Sequence, residues 1–429
     1  VLARKIGLTF VVKVSASLCA YLVSILLIRK GGTETAGQFY SWVAYLLLAS
    51  SIVRFGLDHK IVKEVAQSTK KGRKKVLGKA LLICTLLSAI VIPIIYLISI
   101  EIGKNTPYTA TIIAISCFLF SVIYLFGNIF QGLDRADMTI LSQEILIWVA
   151  LFTSLIFIDV IDIEMTWNLY LVGIVLSLAV SSYYLHAGFD LKPKLCGKIE
   201  LARYLKETVP YFSGIAGHVA LQWSPLIFLS IFATSTESGQ FVAIYRTSML
   251  IAFLLGIFNL VTNPIYAKYF AKNDVASVGK LARTIALTML IISLPMFVSL
   301  TVFSADLMAM FGESFKALSY VLIYISCAQM FNAITGSAGY ILTMGGQAKL
   351  VEKSTLITVG LVFILGPPLI YEYALWGAAS VSFISVIVFN SLNTFLLYKH
   401  MNIVILPNLQ TINDTFSIVR ENFLRKKTI

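Results

Sequence analysis

Long apolar runs separated by short polar turns fill nearly the whole chain. About twelve of them can be marked off, near 6–28, 37–54, 79–100, 108–130, 140–158, 166–186, 208–232, 240–264, 284–304, 318–342, 354–371 and 375–398. Each holds roughly 18 to 25 mostly apolar residues, enough to cross a hydrocarbon core of ~30 Å as a helix. In lipid every backbone N–H and C=O must be paired internally, and runs of this length do that as helices. The pattern therefore predicts an all-α integral membrane protein of about twelve transmembrane helices.

One polar turn is written twice. Ala36-Gly37-Gln38-Phe39 follows the first run, and Ser238-Gly239-Gln240-Phe241 stands 202 residues later in the same relation to its neighbours. The run opening near Ile6 maps onto the one opening near Thr208, and Ile61 falls opposite Asn263. A fainter echo links Gly132-Leu133-Asp134-Arg135 after span 4 with Gly345-Gly346-Gln347-Ala348 after span 10. Six helices return the chain to its starting side, so the second half repeats the first in the same orientation. Such repeats form two six-helix lobes related by a pseudo-two-fold along the membrane normal, with a substrate path between them. The predicted division is 1–190 for spans 1–6, a cytoplasmic linker at 191–207, 208–400 for spans 7–12, and a basic tail at 401–429. In the tail Ile412, Phe416, Val419 and Phe423 have helical spacing with Arg425 to Lys427 behind them. That pattern fits a helix lying on the inner leaflet and equally a frayed tail.

Composition supports lipid as the solvent. Hydrophobic residues make up 58% of the chain and charged residues 13%, more apolar side chain than a soluble domain can hide. The first segment reads as a span and not as a leader, since Lys13 interrupts it and no small-residue cleavage site precedes Arg29. The net charge of +13 sorts by side. With the N-terminus inside, the cytoplasmic segments hold 28 Lys and Arg and the outer loops four: Arg29, Lys30, Lys104 and Lys316. That bias puts both termini in the cytoplasm. The charge then reports topology and attraction to anionic headgroups, and nucleic acid is not a predicted partner. The outer loops are too short for a folded catalytic domain, so a membrane enzyme with clustered loop residues is disfavoured. The five cysteines show no metal spacing, and four lie in apolar runs, where they read as small core residues. No metal or cofactor site is expected.

Ionisable groups inside spans are costly and are generally kept for use. Lys13 lies seven residues into span 1, about 10 Å deep at ~1.5 Å per residue; it either faces a cavity or snorkels to the inner headgroups. Arg246, six residues after Gln240 in span 8, has the same two alternatives from the other side. Arg54 ends span 2, as a substrate contact or as an interfacial anchor paired with Asp58 one turn on. Glu144, early in span 5, is the one acidic candidate, for coupling to an ion or simply at the interface. In span 7, His218 and Gln222 share a face beside Trp223, and Pro225 predicts a bend; they line a cavity or bond to a neighbouring helix. Asn259, Asn263, Asn390 and Asn393 read as packing contacts. The interior set is cationic and amide-like, which suits an anion rich in hydroxyls. An organic-cation path or a proton relay would call for buried carboxylates.

Five features in order carry a resemblance: Ala36-Gly37-Gln38-Phe39-Tyr40 after span 1; Arg54-Phe55-Gly56-Leu57-Asp58 before a basic stretch; Gln131-Gly132-Leu133-Asp134-Arg135 after span 4; Pro210 opening span 7; and Ser238-Gly239-Gln240-Phe241 leading to Tyr245-Arg246. With them the chain resembles the polysaccharide flippases of the multidrug/oligosaccharidyl-lipid/polysaccharide exporter superfamily, the O-antigen repeat-unit flippases of lipopolysaccharide assembly most of all. The resemblance implies a multi-pass protein of the inner membrane that moves an undecaprenyl-pyrophosphate-linked oligosaccharide from the inner to the outer leaflet by alternating access. In the similar lipid II flippases basic residues of spans 1, 2 and 8 line the cavity, and Lys13, Arg54 and Arg246 are the matching positions. Lys in span 1 departs from the Arg of that pattern, a point charge in place of a bidentate fork.

On that implication Lys13 and Arg246 hold the pyrophosphate and Gln222 and Trp223 meet the glycan, with Arg54 and His218 as further substrate-binding candidates. Outward movement of an anion runs down the membrane potential at ~2.3 kcal/mol per charge per 100 mV, so two charges gain about 4–5 kcal/mol. The potential, or inward Na⁺ or H⁺ through Glu144, is the predicted driving force. Membrane lipids and other polysaccharide-assembly proteins are the further partners. The alternative is a drug or small-metabolite antiporter of the same superfamily.

Overall fold

A bilayer forces the apolar runs into helices, and the regular backbone among the described residues is helical throughout. The structure, a computed structural model, describes residues 2–101, 103, 105–193 and 198–407. In chain order the helices are α1 (Leu2–Arg54), α2 (Leu57–Gln67), α3 (Lys70–Glu101), α4 (Pro107–Gly132), α5 (Ala136–Ile140), α6 (Leu146–Phe157), α7 (Ile163–Tyr183), α8 (Lys198–Phe232), α9 (Ser235–Ala271), α10 (Val275–Val302), α11 (Ser304–Ala309), α12 (Ser319–Thr335), α13 (Ala338–Met344) and α14 (Ala348–Met401). A π-helical segment, Leu141–Ile145, joins α5 to α6, and another, Tyr184–Gly188, ends α7.

Among the described residues ten helical stretches are long and apolar enough to cross a membrane. Two of them are each two helices joined at a single residue. α1 breaks at Gly32 (φ 83°, ψ 162°) and α14 at Ala374 (φ 44°, ψ −114°). At about 1.5 Å per residue each runs to roughly 80 Å, enough for two passes, which brings the crossings to the twelve predicted. The polar turns expected at 29–36 and 372–374 are thus one-residue breaks between consecutive helices. Gly32 suits its place because a left-handed φ costs glycine little. This is a multi-pass membrane protein, and its exposed apolar side chains agree: Phe157, Ile364 and Ile90 are 85%, 72% and 62% exposed, as a lipid-facing surface requires.

The chain packs as two compact units, Val1–Ala243 with Ile370–Ala378, and Ile244–Leu369 with Ala379–Ile429. The division falls inside α9, one span later than the linker marked at 191–207, and half of that linker is helix, since α8 already starts at Lys198. Ile412, Phe416, Val419 and Phe423 of the tail and Cys196 lie outside the described residues. Cys84 and Cys117 are buried as expected, Cys19 is half-buried and Cys327 is exposed.

The core of the first unit gathers around α2, an element the basic stretch concealed. Leu57, Ile61 and Val65, one turn apart, are fully buried against Val76, Ile83, Leu125, Ile129 and Phe130. The second unit centres on Tyr266, Ala282, Ile285, Ile341 and Leu397. Three of the four predicted asparagines bond to neighbouring segments: Ser337 Oγ donates to Asn259 Oδ1 at 2.7 Å, Ser354 Oγ to Asn393 Oδ1 at 2.7 Å, and Asn390 Nδ2 to Asn332 Oδ1 at 3.0 Å; the buried Oδ1 of Asn263 has no hydrogen-bond partner among the described residues. Such interhelical bonds satisfy polar groups that hydrocarbon would leave bare.

Candidate functional site

Lys13 and Glu144, chosen from the sequence for different reasons, are partners. Lys13 Nζ reaches Glu144 Oε1 at 2.5 Å, with side chains 37% and 30% exposed. Glu144 sits in the π-helical segment Leu141–Ile145. Such one-turn expansions re-aim side chains and are frequent at functional sites. The segment is tied down on both flanks. Thr139 Oγ1 donates to Gly127 O at 2.9 Å and Gln143 Nε2 to Tyr124 O at 3.2 Å, both on α4. Ser177 Oγ of α7 donates to Ser142 O. Gly127 makes the room: a Cβ there would lie 2.6 Å from Gln143 Cδ.

Arg54 is 4% exposed and enclosed. Its Nε donates to Asp58 Oδ1 at 2.9 Å, its Nη1 to Ser50 Oγ, and its guanidinium lies 4.4 Å from the centre of the Tyr124 ring. Asn128 Nδ2 donates to the same Asp58 oxygen at 2.6 Å. The pairing with Asp58 was one of the two alternatives for Arg54, but it is made across the corner between α1 and α2 and not along one helix. Tyr124 and Asn128, from α4, carried no signal that would connect them to it. The chain turns here through Phe55 (φ 43°) and Gly56 (φ 77°). A Cβ on Gly56 would stand 2.6 Å from Thr208 O and 2.8 Å from Phe212 N of α8, and the Phe55 and Phe212 rings stack at 4.6 Å. The Arg54-Phe55-Gly56-Leu57-Asp58 motif is thus a corner that closes on α8.

A second cluster lies beside this corner. Lys60, 6% exposed, sits 3.6 Å from the centre of the Tyr204 ring and pairs with Glu207 at 2.6 Å. Tyr204 Oη donates to Glu64 Oε2 at 2.8 Å. Burial and the carboxylates around it push the Tyr204 phenol well above its ordinary pKa.

Along α8, His218 and Gln222 are exposed and one turn apart, Trp223 is half-buried and Pro225 is buried, within a helix that continues unbroken to Phe232. Arg246, half-buried on α9, belongs to the second unit, whereas Lys13, Arg54, Glu144, His218, Gln222 and Trp223 belong to the first. Just after the break in α1, the two copies of the repeated turn meet. A Cβ on Gly37 would overlap Ser235 O and stand 2.7 Å from Gly239 N, and one on Gly239 would overlap Thr33 O. Phe39 packs edge-on against Trp167 and Tyr170 at 5.2 and 5.3 Å. A cavity of about 440 Å³ opens beside this contact, lined by Gln38, Asn105, Thr106, Thr109, Glu164 and Ser235 among others. Among the described residues no group of three His, Cys, Asp or Glu could hold a metal ion.

Residues 2–270 match the family model of the polysaccharide biosynthesis proteins. A relative described as a probable low-salt glycan biosynthesis flippase, Agl15, of Haloferax volcanii is 23% identical over 385 residues, 88% of this chain and 79% of its own. Among solved structures, the lipid II flippase MurJ in an inward-closed conformation superposes with a TM-score of 0.71 at 15% identity, over 91% of this chain and 87% of MurJ. An inward-facing multidrug-resistance MATE transporter of the MOP superfamily gives 0.70 at 15% identity, over 93% and 98%. A MOP-superfamily transporter of Pyrococcus furiosus gives 0.67 at 14% identity, over 94% of each chain. These likenesses establish the fold.

Proposed function

The chain belongs to the polysaccharide biosynthesis protein family, and from that premise we propose that it is a flippase. Its cargo in this proposal is an undecaprenyl-pyrophosphate-linked oligosaccharide repeat unit, carried from the inner to the outer leaflet of the cytoplasmic membrane by alternating access. The glycan-flippase description of the Haloferax relative supports the class of cargo. The observation that carries the reading is the sign of the charges within the spans. Lys13 and Arg246 are cationic, and the one acidic candidate, Glu144 early in span 5, is itself paired with Lys13.

Sugars and pyrophosphate cannot enter hydrocarbon unaided, so the protein offers a wet cationic path while the lipid tail stays in the bilayer. Lys13 and Arg246 are each substrate-binding cations in this proposal, and each can hold a phosphate by charge-assisted hydrogen bonds. His218, Gln222 and Trp223 meet the glycan, and the exposure of His218 and Gln222 on one face of α8 supports this role. Arg54, closed in by Asp58, Ser50 and Tyr124, supports the corner between α1 and α2. Both termini are cytoplasmic, as the Lys and Arg bias requires, so the potential favours export of the anion.

The test is translocation of an undecaprenyl-pyrophosphate-linked oligosaccharide in proteoliposomes under an imposed potential, scored by access to an outside reagent. The wild type flips it, and Arg246→Ala and Lys13→Ala fold but do not. A wild type that leaves the glycolipid in place and moves small cations instead would establish the antiporter.

A further inference from the structure

Lys13 offers an accessible positive charge inside the membrane, and its neighbourhood is full of competing anions. Phospholipid headgroups carrying a single phosphate charge far outnumber any glycolipid. A bare ammonium on a path open to lipid would fill with them. The structure shows how that is avoided: the ammonium already holds a carboxylate, at 2.5 Å.

Resting on the flippase reading above, we propose that Glu144 is a specificity-determining residue: it masks Lys13 against monoanionic headgroups and yields only to one of higher charge, such as pyrophosphate. The argument is one of exchange. A phosphodiester that displaces Glu144 replaces one unit charge by another and leaves the carboxylate unpaired, so it gains nothing. A headgroup with two or more charges interacts with the ammonium in proportion to its charge, and the surplus offsets the lost pair.

The geometry assigns the two partners different parts. Glu144 is on the fixed side, in a π-helical segment held by Thr139, Gln143 and the carbonyl of Ser142. Lys13 is on the mobile side, a compact ammonium with three donors on a flexible four-carbon stem. Both side chains are about one-third exposed, so an incoming phosphate can reach the ammonium and water can solvate the carboxylate it leaves. Lys13 swings and Glu144 stays. An Arg at position 13 would grip the carboxylate with two parallel bonds and exchange less readily.

The experiment compares wild type, Glu144→Gln and Glu144→Asp in two measurements. The first is flipping of the pyrophosphate-linked glycolipid in vesicles of phosphatidylcholine alone and in vesicles rich in phosphatidylglycerol. Wild type is expected to run at similar rates in both, and Glu144→Gln to be slowed roughly tenfold by phosphatidylglycerol, the equivalent of one order in an equilibrium constant. The second is calorimetric binding of inorganic pyrophosphate and of dimethyl phosphate, a phosphodiester with a single charge, to the protein in detergent. Wild type prefers pyrophosphate, Glu144→Gln narrows that preference by gaining the phosphodiester, and Glu144→Asp keeps most of it. If Glu144→Gln and Glu144→Asp both leave the preference unchanged while the glycolipid still flips, the masking role is overturned and the flippase reading stands. Wild type showing no preference overturns it as well. A wild type that selects pyrophosphate through Glu144 yet flips no glycolipid overturns the flippase reading and leaves the selectivity in place.

Discussion

Gly37 and Gly239, the glycines of the repeated turn, lie against each other. A Cβ on Gly37 would come within 2.7 Å of the Gly239 nitrogen and into the Ser235 carbonyl, and a Cβ on Gly239 would enter the Thr33 carbonyl. The two copies of the motif are therefore two sides of one contact, and each supplies the small residue that the other's backbone needs. Such close approach is how helices in lipid gain van der Waals packing.

The obstructing atoms are backbone and cannot rotate away. Gly37→Ala and Gly239→Ala should each lower stability by about 1–3 kcal/mol, the cost of overpacking. The double variant should lose less than the two together, because helices already separated at one glycine clear the other. Denaturation of the purified protein in detergent, in the four-variant cycle, checks both the size and the sign of the coupling.

Arg54 is buried with Asp58 as its counter-charge. Asp58→Ala should cost about 3–5 kcal/mol, because it leaves an uncompensated buried charge. Replacing both, as Arg54→Met with Asp58→Leu, should recover much of that loss. Flipping that persists in the folded double variant would place Arg54 in the scaffold; flipping that vanishes would place it on the path.

Tyr204 makes two separable contacts. Tyr204→Phe removes the bond to Glu64 and keeps the ring under Lys60, for a loss of about 1 kcal/mol. Tyr204→Leu also removes the cation–π contact and should cost roughly a further 0.5–2 kcal/mol. Thermal melts of the two variants against wild type separate the terms.

Asp190 Oδ2 lies 3.0 Å from Lys70 Nζ and 3.4 Å from Lys74 Nζ, and these ammonium groups hold its carboxyl below the ordinary carboxylate pKa. A folded pKa below the unfolded one means that the pair stabilises above the unfolded value, about 3.9, and is lost as pH falls through the folded value. Wild type should exceed Asp190→Asn in melting temperature at neutral pH, and the gap should close at more acid pH. High salt should shrink it at every pH, since the carboxylate is exposed to solvent.

Part of the site could be foreseen from near neighbours in the chain. Arg54 and Asp58 are four residues apart and read as a pair on one helix, but it is the left-handed corner at Phe55 and Gly56, between α1 and α2, that brings them together. Leu57, Ile61 and Val65 mark an amphipathic helix in the same way, but seven Lys and Arg between Lys60 and Lys75 drew the eye to charge instead. The π-helical segment at Leu141–Ile145 had no such signal. It depends on Gln143 finding space over Gly127 of another helix.

The sequence by itself determined the membrane-spanning helices, because a bilayer gives a long apolar run no other way to pair its backbone. It also singled out the ionisable groups, because their cost in lipid marks them. Only the tertiary structure decided which of them are partners. Lys13 and Glu144 are 131 positions apart, and Gly37 and Gly239 are on helices far apart in the chain. Pairings of that kind are set by how helices pack, at separations of a few ångströms. A pattern that repeats every 3.6 residues records which face of a helix is polar, but not which helix will face it.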